Sequence, residues 1–88
     1  MDYELTSNRL KAMGHPTRLR ILSLLRESGS CVQDLEVKLG LKQSNVSQHL
    51  RILRDLGLVC VTREGHTVCY RINADVVAPL LDRLEDQP

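Results

Sequence analysis

Residues 43–56 (QSNVSQHLRILRDL) carry the side chains of this chain that are best suited to read DNA. Uncharged hydrogen-bonding groups fill the first half, arginines enter the second half, and Asp55 is the one acid. Amides and hydroxyls bond base edges in a major groove, while arginine bonds guanine or phosphate. An ordinary amphipathic helix with a polar outer face is the competing interpretation. The groups concerned are Gln43, Ser44, Asn45, Ser47, Gln48, His49, Arg51 and Arg54.

Three cysteines, Cys31, Cys60 and Cys69, form the second set of side chains with chemistry of their own. An odd number cannot all pair within one chain, so a secreted disulfide framework is not expected. Free cysteine is also among the most buried residue types, so three small core residues are the alternative to a thiol site. Because Cys31 is expected near a helix N-terminus, its thiol pKa is the one we expect to be lowered most.

Length and composition predict one small domain, residues 1–88, with a core of Leu, Val and Ile because Phe and Trp are absent. A monomer of this size is marginal, which favours self-association. No apolar run reaches the length of a membrane span and no secretion signal is recognisable, so we expect a soluble cytoplasmic protein without membrane contact. The net charge is +1, but residues 38–71 hold six Lys or Arg against two acids, a local +4, and residues 72–88 a local −3. The basic middle is therefore the predicted phosphate-facing surface.

Apolar periodicity predicts four helices before residue 57. The first runs from about Ser7, as cap, to Met13, and the second from Pro16 to Glu27, with a stop at Ser28-Gly29. The third starts at a capping box, either Ser30 to Gln33 or one residue later with Cys31 and Asp34, and Gly40 ends it. The fourth is the polar stretch itself, whose apolar stripe is Val46, Leu50, Leu53 and Leu56.

Helices three and four are separated by a short turn containing glycine, which is the helix-turn-helix pattern. Lys42 stands at the position before the fourth helix where Ser or Asp is expected as N-cap, so Ser44 is an alternative N-cap. After Gly57 the pattern alternates over residues 58–63 and 67–72, joined by Glu64-Gly65-His66, which predicts a hairpin. Arg63 and His66 lie at its tip and are the predicted wing contacts to DNA.

A last helix, capped by Asn73 or Asp75, completes the chain, and Pro79 must lie in its first turn or kink it. Its apolar stripe, residues 76–84, is either a dimer surface or packed on the chain's own core. The whole pattern, α-α-α-α-β-β-α, predicts a mainly helical winged helix-turn-helix with a β-hairpin wing.

If Glu64-Gly65 is a two-residue turn, Arg63 pairs with His66 and Cys60 lies opposite Cys69. Directly opposed residues have Cβ atoms about 4.5–5.5 Å apart, so a disulfide would need a small adjustment. A loop one residue longer or shorter breaks this pairing. In winged-helix folds the segment before helix three often adds a third strand, which would bring Cys31 towards Cys69.

The chain resembles the ArsR/SmtB family of bacterial repressors over roughly Leu10 to Leu84. The likeness rests on residues 13–22 (MGHPTRLRIL), 31–35 (CVQDL), 43–53 (QSNVSQHLRIL) and 57–59 (GLV), with Glu64-Gly65 and Tyr70 in the wing. It implies a homodimer joined by its first and last helices, residues 7–13 and 73–86, that binds inverted-repeat double-stranded DNA and is released by an inducer. The family's DNA-facing positions are Gln43, Ser44, Asn45, Ser47, Gln48, His49 and Arg51. His15 matches a structural position in the family, so we interpret it as a helix-start residue.

The family's known inducer sites are incomplete in this chain. The last helix has no histidine, so the zinc site of Asp, His, His and Glu is absent, and Gln33 replaces the second cysteine of the arsenic sensors' Cys-Val-Cys. No metal ligand is therefore certain and no cofactor is required. The hypothesis that remains is a thiol site at Cys31, Cys60 and Cys69 for a soft metalloid such as arsenite, or for a redox or persulfide signal.

Other classes of function are less well supported by the sequence. An enzyme would need a nucleophile with its base, paired carboxylates or a phosphate loop, and none is recognisable. A DNA-binding regulator without an inducer, with structural cysteines, shares every DNA-facing feature. A winged helix used only for protein contact is disfavoured by the amides and the few acids of residues 43–56.

Overall fold

The chain folds in the predicted order, with one short strand added before the third helix. The computed structural model describes residues 1–27 and 29–85, so the predicted stop at Ser28 and the end of the last helix at Asp86 lie outside the described residues. A winged helix-turn-helix is therefore confirmed, and its elements are α1 (Tyr3–Met13), α2 (Pro16–Glu27), β1 (Ser30–Cys31), α3 (Val32–Leu39), α4 (Gln43–Asp55), β2 (Val59–Glu64), β3 (Thr67–Ile72) and α5 (Ala74–Glu85).

The core is aliphatic, and it receives side chains from every helix. In α4 the stripe that the sequence predicts is inaccessible to solvent at Val46, Leu50 and Leu53, while Leu56 is half-buried after the helix ends. Burying each such side chain contributes about 1.5–3 kcal/mol. The orientation of α4 is thus set by its apolar face, which leaves the opposite face to solvent.

The turn between α3 and α4 depends on Gly40, whose φ of 66° is left-handed. Its N–H donates to the Glu36 carbonyl over 2.8 Å, which ends α3 and redirects the chain within three residues. Helix α4 then begins after Lys42, whose carbonyl accepts from the N–H groups of Asn45 and Val46. Ser44 lies inside the first turn, so its prediction as the cap is wrong.

Two other helix starts differ from the sequence predictions. Helix α1 begins at Tyr3, because Asp2 Oδ1 accepts from the Leu5 N–H over 3.0 Å, and Ser7 lies in mid-helix instead of at the cap. Ser30 is buried in β1, so the capping box cannot start there. The cap of α3 is Cys31, the alternative position, although its side chain makes no capping hydrogen bond.

Helix α5 starts at the expected place, but its proline lies further along the helix than predicted. The N–H groups of Val76 and Val77 donate to the Asn73 carbonyl, so Asn73 is the residue that opens the helix. Its side-chain amide donates to the Gly57 carbonyl over 2.9 Å, which anchors α5 beside the end of α4. Pro79 lies inside the helix in the second turn, so its placement in the first turn is wrong, and the alternative, a kink at Pro79, stays a prediction.

The three strands form an antiparallel sheet in the order β1-β3-β2. Glu64 pairs with Thr67, so the turn residues are Gly65 and His66, one position later than predicted. Gly65 has a φ of 63°. A glycine at the first of two turn residues suits a type II′ turn, whereas a Glu64-Gly65 turn of type I′ would put Glu64 into the left-handed region. Cys60 therefore pairs with Arg71 and Cys69 with Thr62, so the predicted opposition of Cys60 and Cys69 is wrong.

None of the helices over the described ranges is long and apolar enough to cross a membrane.

Candidate nucleic-acid interface

The outer face of α4 is polar and open to solvent. Its buried stripe is flanked by exposed side chains that are amides, hydroxyls or cations, apart from Ile52, which is 36% exposed, and Asp55 at the last position. Neither Arg51 nor Arg54 makes a side-chain hydrogen bond or ion pair with any residue that the structure describes. These groups are therefore free to bond to a partner; the exposed set is Gln43, Ser44, Asn45, Ser47, Gln48, Arg51 and Arg54.

The N-terminus of α4 is electrostatically suited to phosphate. The first turn contains no acid, and Lys42 at the cap supplies a cation instead of a capping oxygen. Free N–H groups and the helix dipole favour an anion at such an end. The absence of a capping oxygen, which makes Lys42 a poor cap, leaves these donors open to a ligand.

His49 differs from the rest of the predicted contacts because it is half-buried and has protein partners. Its ring lies 5.0 Å from that of His15, and its Nδ1 lies 3.4 Å from Arg18 Nη1. Burial lowers the pKa of His49 below its usual 6.5, and unfavourable electrostatic interactions with His15 and Arg18 lower it further. His49 therefore favours the neutral form on the flank of α4, and its role as a DNA contact remains a prediction.

His15 has the structural role that the sequence predicts for it. Its Nδ1 accepts from the Thr17 N–H over 3.2 Å, and its carbonyl accepts from the Leu19 N–H over 2.9 Å. Both bonds satisfy donors in the first turn of α2, where Pro16 needs none. His15 is thus the residue that starts α2.

The wing presents the second group of predicted contacts. Arg63 lies near the end of β2, paired with Val68, and His66 lies in the turn. Both are exposed, and Arg63 has no ion pair within the described part of the chain. A cavity of about 260 Å³ lies between the wing and α4, since Gln43 and His66 both line it.

Two arginines that the sequence reasoning passed over hold α4 in place. Arg9 of α1 donates through Nε to the Leu56 carbonyl over 2.8 Å, at the C-terminal end of α4. Arg18 of α2 donates through Nε to the Ala12 carbonyl over 2.7 Å and contacts His49. A cation at a helix C-terminus is favourable. Nothing in the local sequence distinguishes these arginines from surface ones, because their partners are carbonyls far along the chain.

The cysteines lie on one face of the sheet but are not equivalent. Cys31 of β1 pairs in register with Cys69 of β3, and their Sγ atoms are 2.9 Å apart. The expectation that a strand before the third helix brings Cys31 towards Cys69 is confirmed. Cys60 is exposed and lies two register pairs further along, opposite Arg71. No cluster of three or more His, Cys, Asp or Glu able to hold a metal ion occurs among the described residues.

The thiol of Cys31 is not activated as the sequence predicts. Its pKa is raised from 9.0 to about 11, first because the thiol hydrogen-bonds to Cys69, then because of partial burial and the negative charges of Cys69, Asp34 and Glu64. These effects outweigh the helix N-terminus on which the prediction of a lowered pKa rested. That prediction is wrong.

An apolar groove of about 240 Å³ lies between α1 and α5, on a different part of the molecule. Val77 and Leu81 of α5 pack into the core, whereas Leu80 and Leu84 remain 39% and 60% exposed, and Leu10 of α1 is 57% exposed. Helix α5 therefore buries one side in its own core and leaves the other side uncovered. The groove is lined by Leu10, Met13, Gly14, Leu19, Leu80 and Leu84.

A helix-turn-helix, a three-stranded sheet with a hairpin wing, and a polar recognition helix define a winged-helix DNA-binding domain. Comparison with known proteins assigns the family. Residues 15–61 match the family described as bacterial regulatory protein, arsR family. The chain therefore belongs to the ArsR family of transcriptional regulators, which are not enzymes.

Individual relatives agree with this assignment. The transcriptional regulator NmtR of Mycobacterium tuberculosis is 45% identical over 73 residues, which cover 83% of this chain and 61% of NmtR. The crystal structure of M. tuberculosis Rv0081 superimposes with a TM-score of 0.86 at 39% identity, covering 94% of this chain and 84% of that one. The homodimeric winged helix-turn-helix domain of Mb0332 from Mycobacterium bovis superimposes with a TM-score of 0.87 at 30% identity, covering 93% of this chain and 76% of that one.

Proposed function

We propose that this chain is a homodimeric repressor that binds an inverted-repeat operator and leaves it when a thiol-reactive signal or a soft metalloid such as arsenite modifies its cysteines. Helix α4 would enter the major groove, and the wing would lie along the adjacent backbone or minor groove. The observation that carries this proposal is the outer face of α4, which exposes amides, hydroxyls and two arginines, Arg51 and Arg54, that have no ion pair among the described residues. A third exposed arginine, Arg63, lies beside them near the tip of the wing.

The contacts divide by their chemistry. The amides of Gln43, Asn45 and Gln48 suit adenine edges, and Arg51 suits guanine or phosphate. Lys42 and Arg63, at the two margins of the surface, suit backbone phosphates, which position the protein without reading sequence. Because acids are rare on this face, a polyanion meets little repulsion there.

The apolar groove between α1 and α5 supports the dimer. Leu10, Leu80 and Leu84 would be covered by the same groove of a second copy, an arrangement with two-fold symmetry. Two copies would place two recognition helices to face two half-sites, which is the reason for expecting an inverted repeat. The homodimeric relative Mb0332 supports the same assembly.

The DNA-binding proposal is tested by fluorescence anisotropy at fixed salt with double-stranded DNA from upstream of this protein's own gene, the protein being reduced. Tight binding that is lost in a scrambled fragment is expected. The fragment is then titrated in the presence of peroxide, a persulfide donor, arsenite, zinc or cadmium. Binding that none of these disturbs would contradict the inducer, and no preference for the promoter fragment would contradict the repressor.

The dimer is tested by light scattering during gel filtration of Leu84→Glu. A charge in the apolar groove should convert the dimer to a monomer and weaken operator binding, because each half-site is then bound alone. Val37→Glu is the matched control, since Val37 is 84% exposed on α3, away from the groove. A Leu84→Glu protein that remains dimeric would exclude this face as the interface.

A further inference from the structure

Two of the three thiols are already positioned to react with each other. Cys31 and Cys69 are directly opposed on antiparallel strands, with Sγ atoms 2.9 Å apart. A disulfide needs an S–S distance of about 2.05 Å and Cβ atoms about 3.5–4.5 Å apart. To form the bond, the two Sγ atoms have to approach each other by about 0.9 Å from their present separation of 2.9 Å. Cys60 has no such partner, because its register mate on β3 is Arg71.

Small molecules can reach the pair from two sides. Cys31 lines the cavity of about 260 Å³ that also contains Gln43 and His66. Cys69 lines a neighbouring cavity of about 230 Å³, together with Thr62 and Arg71. Both cysteines are half-buried, so the pair is held in a fixed geometry without being sealed from solvent.

The raised pKa of Cys31 gives the two sulfurs different roles in the oxidation. Cys31 keeps its proton, since its pKa is raised to about 11 by the hydrogen bond to Cys69 and by nearby negative charge. Either sulfur can donate the hydrogen bond between them, and because Cys31 is the one that keeps its proton, we assign the first attack on an oxidant to Cys69. With hydrogen peroxide, Cys69 becomes a sulfenic acid and one water leaves. Cys31 then attacks that sulfur, and the displaced hydroxide takes the Cys31 proton and leaves as the second water. Two thiols lose two electrons to one peroxide.

The pair lies where the two DNA-reading elements meet. Cys31 caps α3, the helix that positions α4 through the Gly40 turn. Cys69 lies in β3, two residues beyond the strand's first residue, Thr67, which follows the wing turn. A bond between them would fix the start of the helix-turn-helix to the wing, and Gln43 and His66 on either side of the shared cavity could no longer adjust to a groove independently.

We propose that oxidation by a peroxide-class oxidant closes a Cys31–Cys69 disulfide between β1 and β3, and that this bond is the signal that releases the operator. The inference rests on the proposed function, since it names the site and chemistry of the inducer. It assigns Cys60 no part in the switch. It also favours a two-thiol reaction over a three-thiol metalloid site, because Cys60 lies off the register of the pair.

The chemistry is tested in full-length Cys60→Ser, which retains only the pair. Reduced protein should take up two N-ethylmaleimide groups. After hydrogen peroxide treatment it should take up none, remain a single chain on a non-reducing gel, and be two hydrogen atoms lighter by intact mass. Two thiols that still react, or a bond that forms only between chains, would overturn the proposal.

The consequence is tested by anisotropy with the promoter fragment. Oxidised Cys60→Ser should bind about 5- to 150-fold more weakly than the reduced form, the range of typical coupling between sites, and dithiothreitol should restore affinity. Adding Cys31→Ser or Cys69→Ser should abolish the response while leaving reduced binding near that of the parent. A disulfide that forms without changing affinity would overturn the switch and leave the proposed repressor intact. Failure of the reduced parent to bind would overturn both, while the thiol count would still report whether the bond forms.

Discussion

The arginines on one side of this molecule bond to other residues of the protein, whereas those on the other side are exposed to solvent. On the side built from α1, α2 and α5, Arg9 and Arg18 donate to backbone carbonyls, and Arg26 pairs with Asp82 and Glu85. On the α4 and wing side, Arg51 and Arg63 are exposed and have no such partner within the described residues. Both groups consist of arginines, so their charge alone does not distinguish structural from ligand-binding residues. Arginines of the first kind stabilise the fold, whereas those of the second kind are available to a ligand.

This difference gives each side its own measurable consequence. Removing an arginine with protein partners should lower the free energy of unfolding and change DNA affinity little. Removing an exposed one should do the reverse, because it makes no contact that folding requires. Substitutions on both sides therefore test whether the division between structural and functional cations is real.

The largest effect is expected for Arg51→Ala. A base or phosphate contact of this kind is worth about 1–3 kcal/mol, so operator affinity should fall roughly 5- to 150-fold while the free energy of unfolding stays unchanged. Anisotropy at several salt concentrations measures it, with Arg26→Ala as the matched control. A uniform loss on all DNA sequences, with a smaller salt slope, would assign Arg51 to phosphate. Affinity equal to the parent's would contradict the docking of α4.

Arg9→Ala should lower stability more than Arg26→Ala does. It removes a partly buried, charge-assisted hydrogen bond to the Leu56 carbonyl, a loss of about 1.5–3 kcal/mol. Urea unfolding measures the change, and Arg9→Lys should recover part of it because a cation remains near the end of α4. A variant as stable as the parent that binds DNA poorly would place Arg9 among the ligand-binding cations instead.

Much of the fold follows from the sequence because apolar periodicity and local stop signals determine it. The stripe of Val46, Leu50 and Leu53 predicts both the helix and its buried face, and Gly40 predicts the turn. The polar face of α4 is then exposed by necessity. Whether those side chains bind DNA is not tested by the fold and stays a prediction.

The errors occur where one residue of register or one distant partner decides the outcome. Gly65 accepts the left-handed conformation at the first turn position, and this single shift moves Cys60 away from Cys69. Cys31 has a raised pKa because Cys69 lies against it, a contact between residues 38 positions apart that no local pattern shows. The roles of Arg9 and Arg18 are likewise set by carbonyls on other helices.

His49 lies between the two sides, on α4 but in contact with residues of the other side. The pH dependence of stability should show that its ring is partly buried. Its pKa is lowered in the folded protein by burial and by unfavourable electrostatic interactions with His15 and Arg18, so folding disfavours its charged form. The unfolded chain then binds the proton more readily, and stability falls as pH drops below about 6.5. In His49→Gln that decrease should be smaller, as measured by urea unfolding between neutral and mildly acidic pH. An unchanged pH profile would mean that the ring is solvated in the folded protein and faces the groove.

Arg26→Ala should produce the smallest effect. Its ion pairs with Asp82 and Glu85 join α2 to α5, and the Ser23 hydroxyl also donates to Glu85. The pairs are partly exposed, with the Arg26 side chain 28% accessible and the acids about half accessible, so solvent screens them. Exposed pairs contribute about 0.2–1 kcal/mol, which added salt should reduce further. Thermal unfolding at low and high salt measures this, and DNA affinity should be unaffected. If Arg26→Ala instead weakened operator binding as Arg51→Ala does, the positive charge of the whole molecule, and not the exposed face of α4, would be what binds DNA.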